Sequence, residues 1–571
     1  MKTNGARLFL EMLKLHGVRD VFGLPGETTL ALYREWEHFP DVRHILTHDE
    51  RAAAFMAEAY AKATGRVGVS EAPSPGGSHP VPGVLESFKG SVPTVCFTSD
   101  VPFNNEKRNT LSGFDQNRLY EAITKESILI TRAKDIPHLM RRAFRTALSD
   151  RPGAVHVRVP DDVYEEEIDI AESELYGGTC LWPADRPVAD FAKIDEAIAL
   201  LLEAKRPVIV CGQGAVVSGA GPEVRAVAEA LSIPVGTTMT GKGAISETHP
   251  LSLRVIGARG GTSYSNRFLE EADLVFFVGS NTDSAGTDGR KLPSAARQPR
   301  IIQLDISRQE AGNNYRADVA LVGDAKATLA LMADRIREKG LKGRAENGQD
   351  VAAAMAELDR SAAEAAKSDD LPIHPIRFVK ELEALLPEKS LVLVEPSTGS
   401  IFSAAYLVQR REGRMFLSGY SMGALGYSLP AAVGAAVARP DHTIVSLGGD
   451  GSFYFNCGEL ETYSRLGLNI KYVLFNNNVF GWIRGEIEHV YNANPFATDF
   501  RYVDYCKIAE GFGLRTFRID APERIAPVLR EAFSYSGPAF IEMPVKAQDA
   551  LVPPVPRWIP NAKKKGLPYY Y

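Results

Sequence analysis

Thr443-Ile444-Val445-Ser446-Leu447, followed by Gly449-Asp450-Gly451, is the stretch on which the reading of this chain turns. The apolar, β-branched run predicts a buried strand, and Asp450 comes soon after it. A second run of this kind, Ile470-Lys471-Tyr472-Val473-Leu474-Phe475, leads into Asn476-Asn477-Asn478, with a helix predicted between the two through residues 459–465. Asp450 and Asn477, 27 positions apart, thus fall at the carboxyl ends of strands, where open α/β sheets bind ligands. Two side-chain oxygens make a poor metal cage. With a backbone carbonyl and two diphosphate oxygens they complete the octahedron that Mg²⁺ demands. Gly449 and Gly451 carry no Cβ, so a diphosphate can approach the backbone there.

Gly-Asp-Gly with Asn-Asn at this spacing resembles the cofactor signature of thiamine-diphosphate (ThDP) enzymes. The likeness covers nearly the whole chain and is closest to the acetolactate synthase and 2-oxoacid decarboxylase/carboligase branch. It implies Mg²⁺ on Asp450, Asn477 and the Val479 carbonyl, and ThDP contacts from Gly449, Asp450, Gly451, Ser452, Asn477 and Gly481. Leu425, in a Gly-rich run that includes Gly423, matches the large apolar residue that bends the cofactor's two rings together, a proximity effect. An ordinary core leucine is the alternative. Ser397 and Thr398, after the strand Leu391-Val392-Leu393-Val394, match hydroxyls on the diphosphate side, or form a plain turn.

Glu50 follows the strand Arg43-His44-Ile45-Leu46 and opens an alanine-rich helix, Arg51-Ala52-Ala53-Ala54-Phe55-Met56-Ala57. Alignment through Phe55-Met56-Ala57-Glu58 places it on the family's catalytic glutamate, which hydrogen-bonds N1′ of the aminopyrimidine and favours its imino tautomer. The alternative is a carboxylate stabilising the helix from its first turn. Such a glutamate meets the cofactor of the other subunit in this family, so the resemblance implies a homodimer or homotetramer. Two further loops are expected near the reacting carbon, Leu24-Pro25-Gly26-Glu27 and Ser74-Pro75-Gly76-Gly77-Ser78-His79. Glu27 stands where acetolactate synthase has glycine and His79 where it has asparagine, so both are candidate proton-transfer groups. Asp115 replaces a glutamine in Phe114-Asp115-Gln116 and is the fourth candidate catalytic residue. The arginine and tryptophan that grip the second 2-oxoacid in acetolactate synthase align with Ala285 and Glu486. A carboxylate acceptor would lose its bidentate partner and meet a like charge, so acetolactate is not the expected product.

In the middle of the chain, Thr238, Gly257, Arg259, Gly279 and Asp305 recur at the spacings of the family's flavin-binding domain. Glycines after strands admit a pyrophosphate, and Asp accepts from a ribose hydroxyl. FAD, ADP and no ligand all remain open there.

A chain of 571 residues exceeds one hydrophobic core. Alternating helix and strand patterns predict α/β architecture in three doubly wound parallel-sheet domains. These are a pyrimidine-binding domain at 1–170, a nucleotide-binding-like domain at 190–336 and a diphosphate/Mg-binding domain at 372–547. A solvated linker with some helix is expected at 337–371, and a tail at 548–571 fits no core pattern. The family resemblance implies that the first and third domains are structural duplicates of each other. Hydrophobic content of 45%, charged content of 24% and a net charge of −6 are ordinary for a soluble protein and give no reason to expect nucleic acid or an anionic membrane. The start of the chain has no apolar h-region, and the five cysteines are scattered without C-x-x-C spacing, so a cytoplasmic protein with free thiols is expected. The expected activity is ThDP- and Mg²⁺-dependent cleavage or formation of a C–C bond beside a carbonyl, with a small 2-oxoacid or diketone as substrate. The alternatives are a diketone hydrolase, a flavin-linked 2-oxoacid oxidase, and a non-enzymatic relative with a relict site.

Overall fold

Six parallel strands make each of three sheets in the computed structural model, which describes residues 1–547 and 550–571. In chain order the first sheet has Asp20–Gly23, Arg43–Leu46, Gly68–Ala72, Thr94–Asp100, Ser127–Leu129 and Ala154–Pro160. Side by side they lie in the order 2-1-3-4-6-5. The third sheet has Ser390–Val394, Phe416–Ser418, Thr443–Gly449, Ile470–Asn476, Arg515–Arg518 and Ala539–Pro544, and its order is again 2-1-3-4-6-5. The expected duplication is thus present in the wiring. The middle sheet (Pro207–Cys211, Val235–Thr237, Ser252–Val255, Leu274–Val278, Arg300–Asp305, Val319–Val322) has the order 3-2-1-4-5-6 of the dinucleotide-binding fold.

The chain forms two compact units. One comprises Met1–Asp185, Gly419–Ile444 and Tyr454–Ile470; the other comprises Arg186–Ser418, Val445–Phe453 and Lys471–Tyr571. The segments 419–444 and 454–470, expected within one body at 372–547, therefore cluster with the first unit. The reason is visible in the helix Glu50–Thr64. It is buried on nearly every face, and its small side chains let the equally small-residue helix Ser428–Ala438 pack closely on it. Tyr427 Oη donates to Glu58 Oε2 at 2.7 Å, and Lys62 pairs with the same carboxylate. Burial pushes the Glu58 carboxyl up, and the Lys62 charge opposes that rise.

The helix expected within the 337–371 linker is Val351–Ala362, and it is not simply solvated, because it buries Val351, Ala354, Met355, Leu358 and Ala362. Arg254 clamps that helix with two hydrogen bonds to Asp359, at 2.7 and 2.8 Å. The tail expected at 548–571 begins with two residues outside the described ones, and the rest of it packs. Trp558 is fully buried, and its indole rests on the helix Gly481–His489 at Gly485, where any side chain would collide with it. The Tyr570 carbonyl accepts from Tyr406 Oη at 2.8 Å and Ser361 Oγ at 3.0 Å. All five cysteines are free, as expected. No helix among the described residues is long and apolar enough to cross a membrane.

Candidate active site

In the first unit the site is assembled at the carboxyl edge of the sheet. Asp49, not Glu50, caps the helix Glu50–Thr64, accepting from Arg51 N at 2.7 Å. Glu50 is left free for other work. Its buried carboxylate bonds His79 Nδ1 through Oε2 at 2.8 Å, and Oε1 lies so close to Gly76 that a Cβ there would collide with it. Two of the predicted loops are tied together. Thr28 Oγ1 accepts from Ser74 N at 3.0 Å and shares a hydrogen bond with Ser99 Oγ at 2.7 Å. Glu27 sits exposed at the start of the 3₁₀ turn Glu27–Thr29. Asp115 is exposed and caps the helix Gln116–Glu121, accepting from Arg118 N at 3.1 Å. Its neighbour Gln116 was passed over by the sequence reading. Gln116 is fully buried, gives its amide hydrogen to Ser99 O at 3.0 Å, and leaves Oε1 without a partner beside Gly77. A buried orphan acceptor calls for a ligand donor.

The same unit holds the loop that carries Leu425. Glu86 accepts from both Ser421 N and Met422 N at 2.8 Å. Asn456 Nδ2 donates to Gly426 O at 2.7 Å, and Leu425 is half-buried between these anchors.

In the second unit Asp450 and Asn477 stand side by side. Asp450 Oδ1 accepts from Gly451 N at 2.8 Å; Oδ2 accepts from Asn477 N at 2.8 Å and Asn478 N at 2.5 Å. Burial raises the Asp450 carboxyl to about 6, and these backbone N–H groups hold it back from rising further. Asn478 turns the chain with φ of 54°, a conformation that Asn tolerates better than most residues. Beneath the loop, buried Glu395 accepts from Gly449 N at 3.0 Å and from Ser452 Oγ. Ser397 caps the helix Thr398–Tyr406, and Gly449 faces Ser397, whose Cβ would be in ordinary van der Waals contact with a side chain placed there, 3.6 Å away. A helix start, a glycine and a fixed carboxylate suit a diphosphate with its cation. The oxygen-only donor set fits Mg²⁺.

Three segments match, in order, the descriptions "Thiamine pyrophosphate enzyme, N-terminal TPP binding domain" at residues 3–119, "central domain" at 194–332, and "C-terminal TPP binding domain" at 397–543. The chain is 33% identical to the probable acetolactate synthase large subunit of Methanococcus aeolicus, over 96% of this chain and 94% of that protein. It is 30% identical to the acetolactate synthase isozyme 1 large subunit of Escherichia coli (strain K12), over 99% and 98%. The chain belongs to the thiamine-diphosphate enzymes. Within that family it falls in the acetolactate synthase-like branch, and it is an enzyme that carries out decarboxylation or carboligation.

This ThDP enzyme uses its expected nucleotide residues to close its own chain. Thr238 Oγ1 accepts from Gly241 N at 3.1 Å. Gly257 exchanges hydrogen bonds with the Asn266 amide at 2.8 and 3.1 Å. Gly279, with φ of 57°, abuts Gly214 too tightly for a side chain. Asp305 Oδ1 accepts from Ser307 N at 2.9 Å, and Arg259 stacks on Trp482 with 3.9 Å from guanidinium carbon to ring centre. Nearby Lys242 is buried against Glu247 at 2.6 Å. In these arrangements Thr238, Gly257 and Asp305 are satisfied by their own chain, so none of them calls for a flavin.

A cavity of about 650 Å³ flanks Asn477, lined by Asn476, Asn478, Tyr502, Arg518, Glu542 and Lys546 among others. Glu542 accepts from Asn476 Nδ2 at 3.0 Å and Arg518 Nη2 at 3.1 Å, and Arg518 also reaches Asp504 at 2.7 Å. Asp504, Cys506 and Glu542 are close enough to share a cation. Arg518 already supplies the positive charge, and burial pushes the Cys506 thiol up to about 12, which opposes thiolate ligation.

Proposed function

We propose that this ThDP enzyme requires Mg²⁺, acts on a 2-oxoacid or related α-dicarbonyl compound, and does not make acetolactate as its main product. The Asp450 carboxylate, locked by three backbone N–H groups beside Asn477, carries the reading. Asp450, Asn477 and the Val479 carbonyl would hold the cation. Ser397, Thr398, Gly449, Gly451 and Ser452 would receive the diphosphate, and Gly481 would flank it. Leu425, beside Gly423, would shape the cofactor. When bound, ThDP supplies an electron sink next to the substrate carbonyl. Glu50 Oε would hold the proton that activates the aminopyrimidine, and burial strengthens that charge-assisted bond. Glu27, His79 and Gln116 would face the substrate; Asp115 acts on it only if it leaves its capping role. Active sites completed between subunits of a homodimer or homotetramer belong to the same proposal.

The acceptor side is less hostile to a carboxylate than alignment alone implies. Glu486 is ion-paired with Arg557 of the tail, so the aligned position is not a bare negative charge. What remains is the loss of the middle-domain guanidinium at Ala285. The test is to load purified protein with ThDP and MgCl₂, present a panel of 2-oxoacids and diketones, and follow CO₂ and products by NMR. Turnover of some member well above pyruvate-to-acetolactate is expected. Acetolactate as the fastest product overturns the substrate claim, and full activity in EDTA overturns the Mg²⁺ claim.

A further inference from the structure

His79 joins two environments. Its Nδ1 meets Glu50 Oε2 at 2.8 Å, yet its side chain is 59% exposed where that of Glu50 is 8% exposed. On the other side Gly76 closes over Glu50 Oε1. Apart from the aminopyrimidine itself, the routes open to a proton on Glu50 run through its titratable neighbours. Asp49 has its oxygens engaged by Arg51 N at 2.7 Å and Arg51 Nη2 at 3.0 Å. Glu71 is buried and bonded to Tyr33 and His44, and burial, with a smaller contribution from the Glu50 charge, holds it toward its protonated form. Tyr120 donates its hydroxyl to Gly77 O at 2.8 Å, and burial keeps the phenol protonated. His79 alone of these combines a direct hydrogen bond to Glu50 with a broadly exposed ring whose two nitrogens can each carry a proton.

We propose that His79 is the proton shuttle of Glu50, a positioning residue that passes this carboxylate's proton to bulk water; the proposal rests on the ThDP reading above. Neutral His79, carrying its hydrogen on Nε2, accepts the Glu50 proton on Nδ1 and releases the Nε2 proton to water. The reverse sequence reloads Glu50. Only O–H and N–H bonds change, and no co-reactant is needed.

Two measurements on the full chain test this. With ¹³Cε1-labelled histidine, the His79 signal, identified by its loss in His79→Asn, is titrated by NMR in cofactor-free protein. Exchanging the facing carboxylate for an amide with Glu50→Gln is expected to move the His79 midpoint; an unmoved midpoint overturns the coupling. Second, hydrogen–deuterium exchange at C2 of added ThDP is timed by acid quench. Asparagine places an N–H donor near Nδ1 but cannot relay a proton, so His79→Asn is expected to slow exchange about 10²-fold. Added imidazole should restore part of the rate in His79→Ala. Exchange as fast in His79→Asn as in the wild type overturns the shuttle. Absence of ThDP binding to wild-type protein by calorimetry is a different failure, that of the ThDP reading itself.

Discussion

Asp450 has a carboxyl whose proton affinity differs between the folded and unfolded chain. Burial raises it from 3.8 to about 6, so the folded, metal-free protein keeps a proton that the unfolded chain has released. That contribution to stability is complete below about pH 4 and gone once the pH passes about 6. A shift of this size corresponds to about 2–3 kcal/mol. The stability of Asp450→Asn relative to wild type should therefore rise by about that amount between pH 4 and 7 in EDTA, read from denaturant midpoints; a flat difference contradicts the burial argument. For Glu50→Gln the expectation concerns rate: turnover falls about 10²–10⁴-fold while calorimetric ThDP affinity changes little. The strand-end positions of Asp450 and Asn477 are legible in the sequence because the strands before them are strongly patterned, whereas Glu50 stands out only through its resemblance to the family's helix. The Glu50–His79 bond and the orphan oxygen of Gln116 are not legible there. Each arises where two loops meet at a sheet edge, and no local pattern encodes that distance.

Among elements, the helix Gly481–His489 shows how the tail is held. It follows Asn477 by a few residues, and its Gly485 carries the buried Trp558. Gly485→Leu should expel that indole, lowering stability by about 1–3 kcal/mol and shifting tryptophan fluorescence to the red. Retained emission would mean that the tail is anchored elsewhere, through Tyr570 and Tyr571. The sequence reading missed this packing because the segment is rich in Pro, Lys and Tyr and lacks a period. Its anchors are one indole, one backbone carbonyl and a terminal aromatic cluster. The helix Val351–Ala362 buries only five side chains, two of them alanines, so its inward face registers weakly against the surrounding Lys, Glu and Asp. The three sheets, by contrast, announced themselves through short β-branched runs buried on both faces.

For the molecule as a whole, ligands that bind only the folded state stabilise it by mass action. ThDP with Mg²⁺ at about 100 times their dissociation constants should contribute about 2.7 kcal/mol. The gain should vanish when EDTA replaces Mg²⁺, as followed by differential scanning fluorimetry; a gain that survives chelation would place the cofactor without the cation. The matched strand order of the first and third sheets has a broader meaning. The same wiring brings the Glu50–His79 pair to the rim of one sheet and Asp450 with Asn477 to the rim of the other. Because the two sets ride on separate sheets, a substitution on one rim leaves the hydrogen bonds of the other intact.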